Sequence, residues 1–294
     1  MGELVLRRAA VFVPKYNVAS EENLVRLQQF IDRSRKLLVV TGAGVSTESG
    51  IPDYRSADVG LYATSSSRPM IYSDFLGSAE RRQRYWARNY IGHSRFSSVK
   101  PNFTHRFFAD FEKTDRLLWL ITQNVDNLHI SAGSQRVTEL HGNAHRVVCL
   151  ECKTATSRRE LQAQMLNLNP NFVADVKGIA PDGDAFINED AVKTFLVPSC
   201  VHCGGILKPD VIFFGDNVAK RVVEFLYRKT DECDAVLVAG SSLEVYSSYR
   251  FISRANKQGK PLAIVNIGKT RADDVANLKV ESHCSEVFRT IRIV

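Results

Sequence analysis

No stretch of this 294-residue chain is apolar for the roughly 20 residues a bilayer-spanning helix needs, which argues against an integral membrane protein. Internal repeats and low-complexity linkers are also absent, so solenoid and tethered-array architectures are excluded. The start, Met1-Gly2-Glu3-Leu4 followed by Arg7 and Arg8, lacks the apolar centre of a secretory signal. An Arg-bearing, mostly apolar start is compatible with the tail of a mitochondrial presequence. Net charge is +7, but the basic residues are scattered and no basic stripe marks a nucleic-acid groove.

Cysteine is sparse, with six residues unevenly placed. Cys149–Cys152 and Cys200–Cys203 form two C-x-x-C pairs, while Cys233 and Cys284 stand alone. A chain long enough to bury a sizeable core does not need disulfides, and paired C-x-x-C motifs point to a metal in a reducing compartment. Four thiolates suit a closed, tetrahedral, structural zinc site. The intervening segment, Lys153–Ser199, far exceeds the about 15–20 residues usual between such pairs. His202, inside the second pair, reads as a bystander. Asn167–Asn171 and Pro181-Asp-Gly-Asp184 read as surface loop, and Glu189–Leu196 as a short helix.

Regular structure follows from periodicity. Ser20 is placed to cap a helix reaching about Arg35, with Leu24, Leu27 and Ile31 on one face. Lys36-Leu-Leu-Val-Val-Thr41 is short, apolar and β-branched, as a fully buried strand should be. Comparable runs lie at Leu117–Thr122, Val211–Phe214, Ala235–Ala239 and Leu262–Asn266, with helical stretches at Val218–Arg228 and Ser247–Gln258. Buried strands alternating with helices predict an α/β fold, a doubly wound parallel sheet of Rossmann-like type. Residues 1–55, 117–145 and 209–294 are assigned to that domain. Residues 56–116 and 146–208 are assigned to a smaller domain, a helical module plus a zinc ribbon carrying the 153–199 insertion.

The turn Thr41-Gly-Ala-Gly-Val-Ser-Thr-Glu-Ser-Gly50 follows the first strand directly, a place where backbone N–H groups can face a pyrophosphate. It is not a clean dinucleotide fingerprint, because Thr47 stands where the third glycine would fall, and a tight turn without ligand is the lesser alternative.

Gly42-Ala-Gly-Val-Ser46 with Ser49-Gly-Ile-Pro-Asp-Tyr-Arg-Ser56 resembles the first signature of the sirtuin family. Thr122-Gln-Asn-Val-Asp-Asn-Leu-His129 with Ala132-Gly133 resembles the second, and Glu139-Leu-His-Gly142 the catalytic-histidine segment. Phe213-Phe-Gly-Asp216, Gly240-Ser-Ser-Leu-Glu-Val245 and Val265-Asn-Ile267 complete the series in family order. Tyr54 and Asp216 are mild departures, where phenylalanine and glutamate are usual. The overall pattern is similar to the class II mitochondrial branch, the sirtuin-four type.

The resemblance implies an NAD-dependent protein-lysine deacylase acting on acylated-lysine proteins in the mitochondrial matrix. In that chemistry an acyl-lysine carbonyl oxygen attacks the ribose carbon bearing nicotinamide, and a base then acts on a ribose hydroxyl. His141 is the expected base, its imidazole titrating near neutrality, with Asn124 fixing the ribose and a water. Asp126 is implied as partner of the nicotinamide amide and Gln123 of the ribose. Gly42, Ala43, Gly44 and Thr47 are expected at the phosphates, with Asp53, Tyr54 and Arg55 on a loop over the nicotinamide. Gly240, Ser241, Ser242, Asn266 and Ile267 are expected on the cofactor at strand ends, and Cys284 near the adenine. The cofactors are therefore NAD as co-substrate and one structural zinc held by Cys149, Cys152, Cys200 and Cys203. His129, His145, His202 and His283 read as structural or exposed.

The branch is associated with longer or branched acyls, lipoyl and biotinyl groups rather than mainly acetyl. The Tyr and Arg pair of dicarboxylic-acyl sirtuins has no convincing counterpart between Ala57 and Arg68. A protein ADP-ribosyltransferase using the same NAD chemistry is the alternative, and a non-catalytic NAD-binding module is disfavoured by His141, Asn124 and Asp126. Part of the insertion, Ala180–Leu196, is expected to reach the cleft between the domains.

Overall fold

A computed structural model describes residues 12–293. The presequence-like Met1–Arg8 lies outside the described residues. Ser20 caps helix α1 (Glu21–Arg33), its Oγ accepting from the Asn23 N–H at 3.3 Å, and Leu27 and Ile31 are buried beneath it. Strand β1 (Leu37–Thr41) follows, buried at every position. Helices α2 (Leu61–Thr64), α3 (Tyr72–Gly77), α4 (Ala79–Ser98) and α5 (Phe103–Glu112) then separate β1 from β2 (Leu117–Thr122).

After the short helix α6 (Leu128–Ser131) the chain adds β3 (Val137–Glu139) and leaves the large sheet along β4 (Gly142–Cys149). It continues through β5 (Ala155–Ser157), α7 (Arg158–Leu168), a two-stranded ribbon of β6 (Gly178–Ile179) and β7 (Ala185–Phe186), and α8 (Glu189–Val192). Strand β8 (Leu207–Val211) returns antiparallel to β4. The remainder alternates: α9 (Lys220–Glu232), β9 (Ala235–Ala239), α10 (Tyr246–Lys257), β10 (Leu262–Val265), β11 (Leu278–Val280) and α11 (Cys284–Thr290).

The large sheet is wholly parallel in the order β11-β10-β9-β1-β2-β3. The chain winds outward from β1 through β2 to β3, then returns to β9 and winds the other way. This reversal between β1 and β9 opens a crevice at their C-terminal ends, the place where open α/β sheets take ligands. A three-stranded antiparallel sheet, β5-β4-β8, forms the second body with the cysteine pairs at one end.

Three sequence expectations need correction. Val211–Phe214 is not a strand of the parallel sheet; β8 ends at Val211 and belongs to the small antiparallel sheet. Its Pro209 lacks an N–H, which a central strand cannot spare but the edge strand β8 can. Pro181–Asp184 is not surface loop, since Pro181, Gly183 and Asp184 are buried. The insertion packs Leu161, Met165, Ala185, Ile187, Val192 and Phe195 into the small-body core with Tyr85 and Trp86 of α4. Contact is so close that a Cβ on Gly92 would meet the Gly183 carbonyl at 1.8 Å. Helix α5, expected in the helical module, instead buries Phe107, Phe108 and Phe111 against Val39, Leu117 and Phe288 of the large core.

Candidate active site

Every residue expected on the cofactor, together with His141, lines one cavity of about 950 Å³ at the β1/β9 reversal. Gly42 and Gly44 follow β1 and press against Gly240 and Ser241, which follow β9. A Cβ on Gly42 would meet Ser241 Cβ at 2.8 Å, and one on Gly44 would meet Gly240 Cα at 2.9 Å. Gly240 itself has φ +57°, and a Cβ there would meet the Val45 N at 2.5 Å. Two backbone turns thus touch without side chains between them, and both line the cavity wall. The N–H of Gly44 is held by the Gly240 carbonyl at 2.9 Å. Thr47, Asn266 and Cys284 are buried in the same wall.

Strand β2 delivers Gln123, Asn124 and Asp126. Gln123 Nε2 donates to Ser241 Oγ at 2.8 Å while its Oε1 accepts from Ser248 Oγ at 2.8 Å, fixing the amide. Asn124 Nδ2 donates to the Gly42 carbonyl and to Ser46 Oγ, both at 3.0 Å. Ser46 Oγ in turn donates to Asp126 Oδ2 at 2.6 Å, and the Leu128 N–H donates to Oδ1 at 2.9 Å. Burial pushes the Asp126 carboxyl above its ordinary value, and those donors oppose the shift. Asp53 lines the cavity, yet its carboxylate is committed to its own loop. It accepts from the N–H groups of Arg55 and Ser56 at 3.0 and 2.8 Å and from Ser56 Oγ at 2.5 Å.

His141 lies between β3 and β4, where its chain crosses from the large sheet to the small one. Nδ1 is 3.0 Å from the Gln123 carbonyl. A carbonyl only accepts, so Nδ1 carries the proton and Nε2 presents its lone pair, which takes the Ser247 hydroxyl at 2.7 Å. Burial lowers the imidazole pKa to about 4, against a smaller opposing effect of the Gln123 contact, so the ring is neutral at pH 7.

At the far end of the small sheet, the Sγ atoms of Cys149, Cys152, Cys200 and Cys203 all lie within 4.8 Å of one another. Cys149 and Cys203 are 3.5 Å apart, Cys152 and Cys200 3.7 Å. Zn–S bonds of about 2.3 Å in a tetrahedron need sulfurs about 3.8 Å apart, so the residues fit zinc with no open position. His202 is exposed and outside the set.

Ser46, Ser247 and Arg250 line the same cavity although no role was expected of them from sequence. Ser46 ends the Gly42–Ser46 turn, so its position was legible although its bond to Asp126 was not. Ser247 and Arg250 on α10 carry no local signal. Pro181 and Asp182 line the cavity, so the insertion does reach the cleft. Of the other histidines, His129 is buried with Nε2 3.0 Å from Thr41 Oγ1, and His283 stacks on Tyr16.

Residues 42–247 match the sequence pattern of the Sir2 family. The chain is 53% identical over 286 residues to the "NAD-dependent protein lipoamidase sirtuin-4, mitochondrial" of Bos taurus, covering 97% of this chain and 91% of that protein. It is 46% identical over 284 residues to the "NAD-dependent protein deacylase sir-2.2" of Caenorhabditis elegans, covering 96% and 99%. A solved complex of Sir2 with a p53 peptide and NAD+ superposes with a TM-score of 0.71 at 28% identity, covering 90% of this chain and 95% of that one. The chain belongs to the Sir2 family, the sirtuins.

Proposed function

We propose that the chain is an NAD-dependent protein-lysine deacylase of mitochondria, acting in the matrix on longer, branched or lipoyl- and biotinyl-type acyl groups. The lipoamidase and deacylase names of its relatives support the acyl class, and the mitochondrial name of the bovine protein supports the compartment. Among the described residues no helix is long and apolar enough to cross a membrane.

The observation that carries the reading is the tautomer of His141. A neutral imidazole with its proton on Nδ1, and with its Nε2 lone pair on a Ser247 hydroxyl that a ribose hydroxyl can displace, is a base in waiting. NAD, when bound, supplies a ribose carbon with a positively charged nicotinamide as its leaving group. The glycine cradle takes the diphosphate, and the amide of Gln123 and the Asn124 side chain hold the ribose. Asp126, kept in place by Ser46, binds the nicotinamide amide. Tyr54 and Arg55 flank that pocket on the loop braced by Asp53, while Ser242, Asn266, Ile267 and Cys284 line the adenosine side. His141 Nε2 then takes a proton from a ribose hydroxyl. The zinc supplies no chemistry; its four thiolates tie the two ends of the insertion to β4 and β8.

The test is incubation with NAD and a series of acyl-lysine peptides, reading products by mass. Nicotinamide, O-acyl-ADP-ribose and free lysine in equal amounts are the expected outcome. ADP-ribose attached to protein without deacylated peptide would assign the chain to transfer rather than deacylation.

A further inference from the structure

Arg250 stands on α10 three residues beyond Ser247, so the two side chains share a face of the helix. Both line the cavity that holds His141. Among the described residues, the guanidinium of Arg250 makes no hydrogen bond or ion pair. Its Nε is buried with no acceptor, and its one close partner is the Tyr246 ring, 5.3 Å from Cζ to the centroid. The next cation along the helix is different: Arg254 is held by Asp231 through Nε and Nη2 at 2.6 and 2.7 Å. Arg271, whose Cζ is 5.8 Å from the same Tyr246 centroid, donates to the Glu244 carbonyl at 3.2 Å. A half-buried guanidinium with an unsatisfied N–H is unfavourable unless something brings an acceptor to it.

The chemistry of that missing acceptor is narrow. A guanidinium fork matches a carboxylate in a bidentate pair. Glu244 and Asp216 line the same cavity, yet neither pairs with Arg250 among the described residues. Position then selects the source. Tyr246 is 57% exposed, so the cation lying over its ring is at the mouth of the cavity. An acyl chain must run inward past His141, whereas the backbone and neighbouring side chains of a protein substrate stay at the mouth.

We propose that Arg250 is a specificity residue that binds the carboxylate of an Asp or Glu side chain close in sequence to the acylated lysine. The proposal rests on reading the cavity as an acyl-lysine site. It gives the enzyme a preference among lysines carrying the same acyl group.

Pairs of fluorescently labelled lipoyl-lysine peptides, differing only by Glu or Gln at each of the three positions either side of the lysine, test it on the full chain. Binding is read by anisotropy, turnover with NAD by mass, and NAD affinity by calorimetry. The parent should bind at least one Glu peptide about tenfold tighter than its Gln counterpart, the scale of a charge-assisted pair. In Arg250→Gln that ratio should fall to about one, and Arg250→Lys should retain part of it. A parent without preference at any position, or an Arg250→Gln chain that keeps the ratio, overturns the proposal. So does an Arg250→Gln chain that keeps the ratio but loses discrimination between adipoyl- and hexanoyl-lysine peptides, or loses NAD affinity; the carboxylate would then belong to the acyl group or the anion to NAD. A Glu-over-Gln binding preference in the parent that Arg250→Gln abolishes, with no turnover of any peptide, supports Arg250 and rejects the deacylase reading instead.

Discussion

The Ser247 hydroxyl lies 2.7 Å from His141 Nε2, on the opposite side of the ring from the Gln123 carbonyl at 3.0 Å from Nδ1. The imidazole is therefore held at both nitrogens by groups from β2 and α10, and its tautomer is set before any ligand arrives. Replacing His141 with Tyr should leave less than about a tenth of the deacylation rate, since a positioned base supplies about 10²–10⁴-fold. NAD affinity should be largely kept, because the base acts after binding. Steady-state kinetics beside calorimetry decide this, and a variant that retains most of its turnover ends the assignment.

Acid stability follows from the same ring. Burial holds the native pKa of His141 at about 4, while the unfolded chain titrates near 6.5. Between those values the unfolded state binds a proton that the native state does not. The stabilising contribution is thus full above about pH 6.5 and is lost as pH falls toward 4. Burial shifts His105 and His129 in the same direction, whereas Asp126 shifts upward. The contribution of His141 is isolated by comparing urea midpoints of the parent and His141→Gln across this window. Their difference should change with pH in favour of the variant as acid is added, and a constant difference would contradict it.

The metal should be found by elemental analysis at one zinc per chain. Cys200→Ser should give an unstable or insoluble protein, because structural zinc contributes folding free energy directly. Fully folded, metal-free protein is the outcome that refutes the site.

Where α4 meets the insertion, Gly92 Cα packs on the Gly183 carbonyl, and Gly92→Ala should destabilise by about 1–3 kcal/mol through overpacking. Replacing Gly178–Thr194 with a Gly/Ser linker removes Ala185, Ile187 and Val192 from the small core, so it should cost stability as well as alter acyl preference. Asp182→Asn is the cleaner probe, since Asp182 lines the cavity. It should change relative kcat/KM among acyl peptides of different terminal charge, with zinc content retained. Identical acyl profiles for variant and parent would reduce the insertion to a packing element.

Ser46→Ala should leave Asp126 Oδ2 and Asn124 Nδ2 each short of one partner in a buried site. The expected loss is about 1–3 kcal/mol of stability, with weaker NAD binding. Calorimetry showing unchanged NAD affinity would separate the Ser46–Asp126 bond from the nicotinamide pocket.

Much of this protein was determined by the sequence alone. Continuous apolar runs such as Leu37–Thr41 and Ala235–Ala239 can only be buried on both faces, which dictates a parallel sheet covered by helices. The four cysteines carry their chemistry in residue type and spacing, whereas Gly42, Gly44, Asn124, Asp126 and His141 were legible through the resemblance of their motifs to the sirtuin signatures. Other features depend on contacts between residues far apart in the chain, and local pattern does not encode those. Val211–Phe214 looks like a core strand by composition, but β8 pairs with β4 and stops at Val211. Helix α5 reads as part of the helical module, yet three phenylalanines commit it to the large core. Only the tertiary structure placed Ser247 on His141, buried Pro181–Asp184 against α4, and left Arg250 without an acceptor, because each depends on which surfaces meet once the sheet has closed around its reversal point.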